Sequence, residues 1–465
     1  MSDEEKDKRD DDKNIWDGLS SSQRDEVESL AQEYMQFLNQ AKTERTVADF
    51  ILRQVSQAGF VDLAAGSPLK TGGWLLHHGK LLGLFVPGQD DPKGGFNLIV
   101  VHSDSPRLDL KPKCLYEQSG LGLLKSNLYG GLKKYQWLAR PLALWGFCVR
   151  KDGTSAELRF GEDPSDPVLT ITDILPHLDR KVQRDKKLVE AFPAERLNVL
   201  TSSKPSGRPG SKKRFKKAIV ELLKKKWDIS EEDLISSELE LVPAGSARSA
   251  GLDGSLIGGY AHDDRLNVFT SVKALLSAKQ PRRPCLIVVY DREEIGSYGS
   301  TGAESNFVVR LAAAAMAVGG RQPAYLDVLT ALSRSRALSA DVEGAADPSF
   351  SEVDESLNSA RVGSGPCVVR YTGGAGKYGA SEARAEYMAL IRRIFDEASV
   401  TWQSTLLGKQ EEGGGGTVAY LLAYYGMSIV DCGPPVLSMH SPFEIVSKAD
   451  LWMNLKAQQA FLSSK

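Results

Sequence analysis

The chain has few cysteines, and their positions form no recognisable motif. Its 465 residues include five, namely Cys114, Cys148, Cys285, Cys367 and Cys432. No two of them have the CxxC spacing of a zinc or redox motif, and an odd number cannot all pair within one chain. We therefore expect reduced cysteines in a cytoplasmic protein that is not exported.

Long apolar runs and a strong net charge are also absent. The longest run of small residues, LAAAAMAVGG (311–320), is too short to span a bilayer, and no apolar signal segment follows Met1. A formal net charge of −2 gives no general attraction for nucleic acid or membrane lipid. The one basic run, SSKPSGRPGSKKRFKK (202–217), has a single aromatic residue, which favours a solvated flexible loop over a nucleic-acid patch. The sequence thus predicts no nucleic-acid partner and no membrane partner.

Helical and strand-like patterns alternate at both ends of the chain. Amphipathic helices are predicted from Ser21 to Leu38 and from Thr46 to Gln57, and strand-like segments at 81–86 and 97–106. Between them and a second alternating region, short strand-like pieces such as LALWGFCV (142–149) are separated by turns.

This arrangement predicts an α/β fold in which a second domain interrupts the first. The catalytic domain, with a doubly wound mixed sheet, would comprise residues 16–107 and 256–465. The inserted β-rich domain would comprise residues 108–255. The densely charged residues 1–15 are predicted to form a disordered lead.

Acidic residues follow directly after an apolar strand-like segment. In CLIVVYDREEIGSYGS (285–300), β-prone residues lead straight into three carboxylates, which are costly in a packed interior unless they are neutralised. His102 and His440 also lie just beyond apolar runs. Because strand carboxyl ends meet at one edge of a doubly wound sheet, His102, Glu293, Glu294 and His440 are predicted to converge there. Acids and histidines without cysteine are the ligand set of a hydrolytic zinc or manganese site.

Each of these residues alone also has an ordinary structural interpretation. A single histidine beside a strand is often a hydrogen-bonded structural residue, and a Glu-Glu pair is often a solvated surface pair. The glycines of EEGGGGTVAY (411–420) do not form a phosphate loop, because no GK[ST] follows them. Spacing alone therefore indicates a metal site without deciding it.

Six segments in order resemble a known family. They are HSDSPRLDLKP (102–112), YGGLKKYQW (129–137), YAHDDRLNVF (260–269), YDREEIGSYGSTGAES (290–305), LSADVEGAADPSF (338–350), and GGGGTVAY together with VLSMHSPFEIVSKAD (436–450). The chain resembles the bacterial branch of the aspartyl aminopeptidase family, dinuclear metal exopeptidases that include vacuolar aminopeptidase I. The resemblance covers nearly the whole chain after the charged lead.

The resemblance implies two divalent metal ions per subunit, zinc first and manganese or cobalt as alternatives. Asp263 would bridge the two ions. His102 and Asp341 would complete one site, and Glu294 and His440 the other. Each ion would then have three protein ligands and a position for water, as catalytic metal sites require.

The resemblance also implies roles for residues that do not bind metal. Glu293 would act as general base and then as acid, and Asp104 would orient the His102 imidazole. His177 would reach the active site of a neighbouring subunit, although a capping or packing histidine is an open alternative. Lys377 would bind an acidic first residue of the substrate, although a solvated loop lysine is equally open. Asp291 is interpreted as structural.

Two features of the segment around the bridging acid are specific expectations. The peptide bond between Asp263 and Asp264 is expected to be cis, as in relatives of this architecture. His262 stands where a glutamine is expected in close bacterial relatives, so the surroundings of the metal site are predicted to differ here.

The predicted function is removal of the N-terminal residue from short peptides, with a preference for Asp or Glu at that position. Two chains would form a dimer through their inserted domains, and the dimers would assemble into a tetrahedral dodecamer. Two alternatives stay open on the sequence alone, namely a non-catalytic shell that keeps the fold and a dinuclear hydrolase of another amide or ester.

Overall fold

Two compact units make up the chain in the computed structural model, which describes residues 14–66, 68–320, 322–409, 411 and 415–465. The first unit contains the chain up to Asp104, Ala247–Met439 and Glu444–Lys465. The second contains Ser105–Ser246 and His440–Phe443. Most of the predicted disordered lead lies outside the described residues.

The α-helices of the described residues are α1 Ile15–Gly18, α2 Ser21–Gln40, α3 Glu44–Gln57, α4 Leu188–Ala191, α5 Arg214–Trp227, α6 His262–Ser277, α7 Phe307–Ala317, α8 Tyr325–Ser333, α9 Ala385–Glu397, α10 Ala419–Ala423 and α11 Lys448–Ser463. In this part of the chain no helix combines the length and the apolar character that crossing a bilayer requires.

The strands of the first unit up to the insertion, and of the second unit, are β1 Val61–Asp62, β2 Gly73–His77, β3 Leu81–Val86, β4 Asn97–His102, β5 Arg107–Gln118, β6 Leu121–Tyr129, β7 Leu142–Val149, β8 Ser155–Phe160, β9 Thr170–Ile171, β10 Asn198–Ser202 and β11 Ser237–Pro243. The remaining strands, all of the first unit, are β12 Arg248–Ala250, β13 Leu256–Gly259, β14 Cys285–Tyr290, β15 Arg336–Ser339, β16 Glu343–Gly344, β17 Cys367–Val369, β18 Tyr371–Gly374, β19 Tyr378–Glu382, β20 Gln403–Thr405, β21 Ser428–Gly433, β22 Pro435–Leu437 and β23 Glu444–Ser447.

The first unit is built on a mixed sheet of nine described strands, in the order β1-β2-β3-β14-β4-β15-β21-β17-β20. Its centre, β14-β4-β15-β21, is parallel throughout, and antiparallel β3 and β17 flank it. Ile99 and Val101 of β4 pack into one apolar cluster with α2, α3, α6, α9 and α11. Leu98 and Val100 pack into another with α7, α8 and α10. Helices on both faces of a mixed sheet confirm the predicted doubly wound α/β fold.

The apolar pattern accounts for the strand that precedes the acidic run. All six residues of β14 are buried, and they pair with β3 on one side and β4 on the other. Every side chain therefore faces a helix layer, so the strand reads as a continuous β-branched and aromatic run. The predicted strand at 97–106 is shorter than expected, because β4 ends at His102 and the chain then turns.

The junctions of the insertion differ from the predicted residues 108 and 255. The second unit begins at Ser105, and β5 enters its sheet from Arg107. The first unit resumes at Ala247, because the Ala247 N–H donates to Asn39 Oδ1 at 2.8 Å and β12 pairs with β13.

The second unit has a sheet of seven described strands in the order β8-β7-β11-β5-β6-β10-β9, antiparallel at every pairing. The basic segment 202–217 is not a loop throughout, because α5 begins at Arg214. The Glu117 carboxylate accepts hydrogen bonds from the backbone N–H groups of Phe215 and Lys216 at 2.8 and 2.9 Å, which stabilises the first turn.

The predicted lead ends earlier than residue 15. Asn14 Oδ1 accepts a hydrogen bond from the Trp16 N–H at 3.0 Å, which caps α1. Ile15 is 3% exposed and its N–H donates to the Gly363 carbonyl oxygen at 2.8 Å. Residues 14 and 15 therefore belong to the folded unit.

Candidate metal centre

Acidic and imidazole side chains collect at the carboxyl ends of the central parallel strands. His102 is the last residue of β4, Glu293 and Glu294 follow β14, and Asp341 follows β15. Asp263 lies in the first turn of α6. The ligand atoms come within 4.8 Å of one another in three groups: His102, Asp263 and Glu294; His102, Glu293 and Asp341; Asp263, Asp264 and Asp341.

His102 presents one ring nitrogen to these carboxylates. Its Nε2 lies 3.2 Å from Asp263 Oδ1 and 3.6 Å from Asp341 Oδ1. Its Nδ1 lies 3.3 Å from Asp104 Oδ1 and 3.1 Å from the Asp104 carbonyl oxygen. Burial lowers the pKa of His102, but the hydrogen bonds to Asp104, Asp263 and Asp341 outweigh it and raise the pKa well above its ordinary value.

Asp104 also holds the turn that carries the two glutamates. Its Oδ1 and Oδ2 accept hydrogen bonds from the backbone N–H groups of Glu293 and Glu294, each at 3.1 Å. Asp104 is fully buried. One carboxylate therefore orients both the His102 ring and the backbone of the Glu293 turn, and only the first of these contacts was expected from the sequence.

The start of α6 fixes the position of Asp263. The peptide bond between Asp263 and Asp264 is cis, as expected. The Asp263 N–H donates to Glu444 Oε2 at 3.0 Å. Asp264 accepts from the His102 N–H at 3.4 Å and from Asn267 Nδ2 at 2.6 Å. Asp264 thus ties α6 to the end of β4.

His262 lies behind this turn and is held on both ring nitrogens. Its Nε2 is 3.2 Å from the Ile257 carbonyl oxygen, which can only accept, so Nε2 carries the proton. Its Nδ1 then accepts from the Tyr34 hydroxyl at 2.8 Å. Burial lowers the pKa of His262 to about 4, against the effect of two backbone hydrogen bonds. His262, at the position where a glutamine was expected, is therefore a neutral buried imidazole bonded to Tyr34 of α2.

The buried carboxylates of the site carry more negative charge than the one nearby imidazole can neutralise. Burial, with repulsion from Asp341, Asp104 and Asp263, raises the pKa of Glu293 to about 8, although His102 opposes the shift. Burial, followed by repulsion from Asp341, raises the pKa of Asp264 well above its ordinary value. Crowded carboxylate oxygens with one imidazole nitrogen are donors that suit a zinc ion, so the residues present fit the metal.

The structure describes His440 within the second unit. Its Nδ1 lies 2.9 Å from the carbonyl oxygen of Gly131, which can only accept. Nδ1 therefore carries the proton, and Nε2 carries the lone pair that a metal ion needs. Its part in the metal site stays a prediction.

His177 and Lys377 both lie in exposed turns. His177 belongs to the second unit, in the turn that precedes the π-helix Arg180–Arg184. Lys377 belongs to the turn between β18 and β19, and its Nζ is 5.9 Å from the centre of the Tyr378 ring. Their proposed roles remain predictions.

Several buried acids near the strand ends were not expected from the sequence. Burial, with repulsion from Asp341 and Asp431, raises the pKa of Glu343 to about 8. Burial raises the pKa of Asp431 to about 7, although hydrogen bonds with Thr417 and Ser339 oppose it. An acid inside the apolar strand SIVDCG (428–433) was a usable signal for Asp431. Glu444, in the apolar-flanked segment FEIVS, gave the same signal.

Comparison with known proteins agrees with this geometry. Residues 37–462 match the family model for aminopeptidase I zinc metalloproteases, M18. A probable M18 family aminopeptidase 1 of Clostridium acetobutylicum is 42% identical over 458 residues, covering 97% of this chain and 98% of the relative. The crystal structure of the M18 aminopeptidase of Thermotoga maritima superimposes with a TM-score of 0.92 at 39% identity, covering 97% of this chain and 99% of that one.

Two more distant matches have informative names. An aspartyl aminopeptidase of Caenorhabditis elegans is 25% identical over 455 residues, covering 92% of this chain and 93% of the relative. The dodecamer of S. cerevisiae mApe1 has the same fold, with a TM-score of 0.74 at 20% identity, covering 93% and 95% of the two chains.

The fold and the donor set define a metal-dependent hydrolase of the exopeptidase class. The chain belongs to the M18 family of aminopeptidase I zinc metalloproteases, so it is a metallo-aminopeptidase.

Replacing Asp263, one of two carboxylates that each belong to two of the three donor groups, should empty the centre. We expect Asp263→Ala to lose most bound zinc, because this side chain contributes an oxygen beside both His102 and Asp341. Zinc per folded chain, measured by elemental analysis after gel filtration, checks this. Asp49→Ala, which removes an exposed carboxylate of α3, is the matched control and should keep its zinc. An unchanged zinc content in Asp263→Ala would contradict the assignment.

Proposed function

We propose that the chain is a dinuclear aminopeptidase that removes acidic N-terminal residues from short peptides. The observation that carries the proposal is the convergence of His102, Asp263, Glu293, Glu294 and Asp341 at the strand ends, in overlapping groups whose ligand atoms lie within 4.8 Å of one another. Together with His440 these residues would supply five ligands for two metal ions and one glutamate, Glu293, for proton transfer.

In this proposal two zinc ions would share Asp263 as a ligand. His102 and Asp341 would hold one ion, and Glu294 and His440 would hold the other. The Nδ1 contacts of His102 and His440 support it, because each ring can donate from Nδ1 to a carbonyl oxygen and use Nε2 to hold a metal ion. When bound, zinc lowers the pKa of water and polarises a carbonyl group.

Glu293 is the proposed proton-transfer group. It must take a proton from the attacking water and deliver it to the amine that leaves. Its backbone N–H is fixed by Asp104, and its carboxylate comes within 4.8 Å of the ligand atoms of His102 and Asp341. Asp104 thus holds the backbone of Glu293 beside the metal-binding candidates.

A single substitution separates proton transfer from metal binding. We expect Glu293→Gln to keep both zinc ions and to lose roughly 10²- to 10⁴-fold in kcat, because the amide cannot accept the proton. Zinc content and steady-state kinetics on an aspartyl chromogenic substrate check this. Glu304→Gln, an exposed glutamate further along the same segment, is the control. Near-normal kcat in Glu293→Gln would show that Glu293 is misassigned.

The preference for acidic first residues is assigned to Lys377. Its exposed ammonium group on the β18–β19 turn would attract a substrate carboxylate, and the aspartyl aminopeptidase among the relatives supports this specificity. A broader first-residue specificity is the alternative.

Substrates that differ only in the first residue test this assignment. We expect the protein to cleave aspartyl and glutamyl substrates with a higher kcat/KM than leucyl or lysyl ones, in assays with zinc, manganese and cobalt. Lys377→Met should lower the aspartyl-to-leucyl ratio at least roughly tenfold, since an ion pair is lost. Lys279→Met, which removes another exposed lysine, should leave the ratio unchanged. A ratio unaffected by Lys377→Met contradicts the assignment, and cleavage of none of these substrates contradicts the proposed reaction.

The second unit is the proposed site of assembly into dimers and a tetrahedral dodecamer. The arm around His177 exposes Leu175, Leu178, Leu188 and Val189 by 50, 64, 62 and 70%. Exposed apolar side chains this close in sequence are typical of protein interfaces. A neighbouring copy that covers them would receive His177 at its active site, and the assembly would admit only short peptides. The mApe1 dodecamer supports this number of subunits.

A cytoplasmic location is part of the proposal. All five cysteines are buried and none forms a disulfide. Thiols that stay reduced fit a reducing compartment.

Complementation between two inactive variants tests whether His177 acts on a neighbour. We expect His177→Ala to form normal oligomers with a kcat lowered roughly 10²-fold, as for loss of one group that stabilises the reacting carbonyl. Oligomers that combine His177→Ala and Glu293→Gln subunits should recover activity, because an intact Glu293 and an intact His177 meet at mixed contacts. Mixed oligomers with no activity above the two parents would contradict the role of His177 between subunits.

A further inference from the structure

The segment that carries Glu293 is a loop with a closed neck. The Asp291 N–H donates to the Thr301 carbonyl oxygen at 3.2 Å. The Thr301 hydroxyl donates to Asp291 Oδ2 at 2.7 Å. Asp291 and Thr301 are 1% and 2% exposed, so both bonds are shielded from water. Residues 291–301 therefore form an Ω-loop whose two ends are joined side chain to side chain as well as backbone to backbone.

The interior of this loop is packed against its own backbone. The Ser297 N–H donates to the Arg292 carbonyl oxygen at 2.7 Å, and the Gly296 N–H donates to that of Glu293 at 2.9 Å. A Cβ atom on Gly302 would lie 2.0 Å from the Ser297 carbonyl oxygen, so the chain beyond Thr301 can approach only as glycine. A change in the Asp291–Thr301 contact is therefore expected to shift the backbone turn that carries Glu293.

Asp291 also lies near two basic side chains. Its Oδ2 lies 4.0 Å from Lys80 Nζ and 3.5 Å from Arg292 Nε. Asp104 accepts hydrogen bonds from the Glu293 and Glu294 N–H groups within the loop. The glutamate is thus fixed by one carboxylate at its own backbone and by another at the loop neck, and the second is oriented by Thr301.

We propose that Thr301, acting through Asp291, is a positioning residue for Glu293 in the proton-transfer step. Their contribution is the geometry of the loop, which the two bonds between Asp291 and Thr301 close. A misplacement of about 1 Å costs roughly 10²-fold in rate when a reacting group must be aligned. The inference rests on the proposed role of Glu293.

The test removes the Thr301 hydroxyl and keeps its shape. We expect Thr301→Val to lower kcat roughly 10- to 100-fold, with KM and zinc per chain unchanged, because the loop carrying Glu293 loosens while the donors stay in place. Thr301→Ser keeps the hydroxyl and should restore kcat to within about threefold. Thr405→Val, a buried threonine of β20, is the matched control and should leave kcat unchanged. If Thr301→Val yields no soluble enzyme, Thr301→Ala compared with Thr301→Ser makes the same distinction.

Three results would overturn the inference. They are a normal kcat in Thr301→Val, an equal loss in Thr301→Ser and Thr301→Val, or a fall in kcat that only follows loss of zinc. Two controls must hold before these results are interpreted. The wild-type protein must cleave the aspartyl substrate, and the Glu293→Gln variant must be inactive. Failure of those two controls would instead count against the proposed function.

Discussion

The compensation of several buried carboxylates at one edge of a parallel sheet is the constraint on which the rest of the structure depends. Two like charges 4 Å apart repel by about 4 kcal/mol at an effective dielectric constant of 20. The strand ends bring Asp263 within 4.8 Å of Glu294 and of Asp341, and Glu293 within 4.8 Å of Asp341, around one imidazole. Divalent cations remove this repulsion, so the fold and the metal requirement have a common cause. Burial first, and repulsion from neighbouring carboxylates second, raise the pKa of Glu293 and Asp264, as this crowding predicts.

The sheet supplies the positions, and a layer of buried hydrogen bonds supplies the orientation. Asp104 aligns His102 and the Glu293 turn together, so one side chain couples a proposed metal ligand to the proposed base. Glu444 and Asp264 fix the start of α6, and Asn454 of α11 donates to Asn267 Oδ1 at 2.8 Å behind them. The centre is thus tied to helices packed on the sheet, which leaves few ways for a donor to move alone.

The sequence predicts the parts of this arrangement that are written locally. An uninterrupted apolar run identifies β14, and charged residues directly after it identify the strand end, since uncompensated carboxylates are costly in a packed interior. Asp263 and Asp341 came from family resemblance, because neither lies in a pattern whose spacing points to His102. The Tyr34 bond to His262 spans 228 residues, and no local pattern encodes a partner that the fold brings across α2 and α6. The end of the inserted domain was predicted at residue 255, whereas the first unit resumes at Ala247. The reason is the same, since this boundary depends on the pairing of β12 with β13.

The most direct measurement is anomalous diffraction at the zinc absorption edge, from crystals grown with zinc. We expect two strong peaks per chain, one beside His102 and Asp341 and one beside Glu294, with Asp263 between them. A single peak, or peaks that leave His102 and Asp263 without zinc, would contradict the central claim that these strand ends converge on a dinuclear centre.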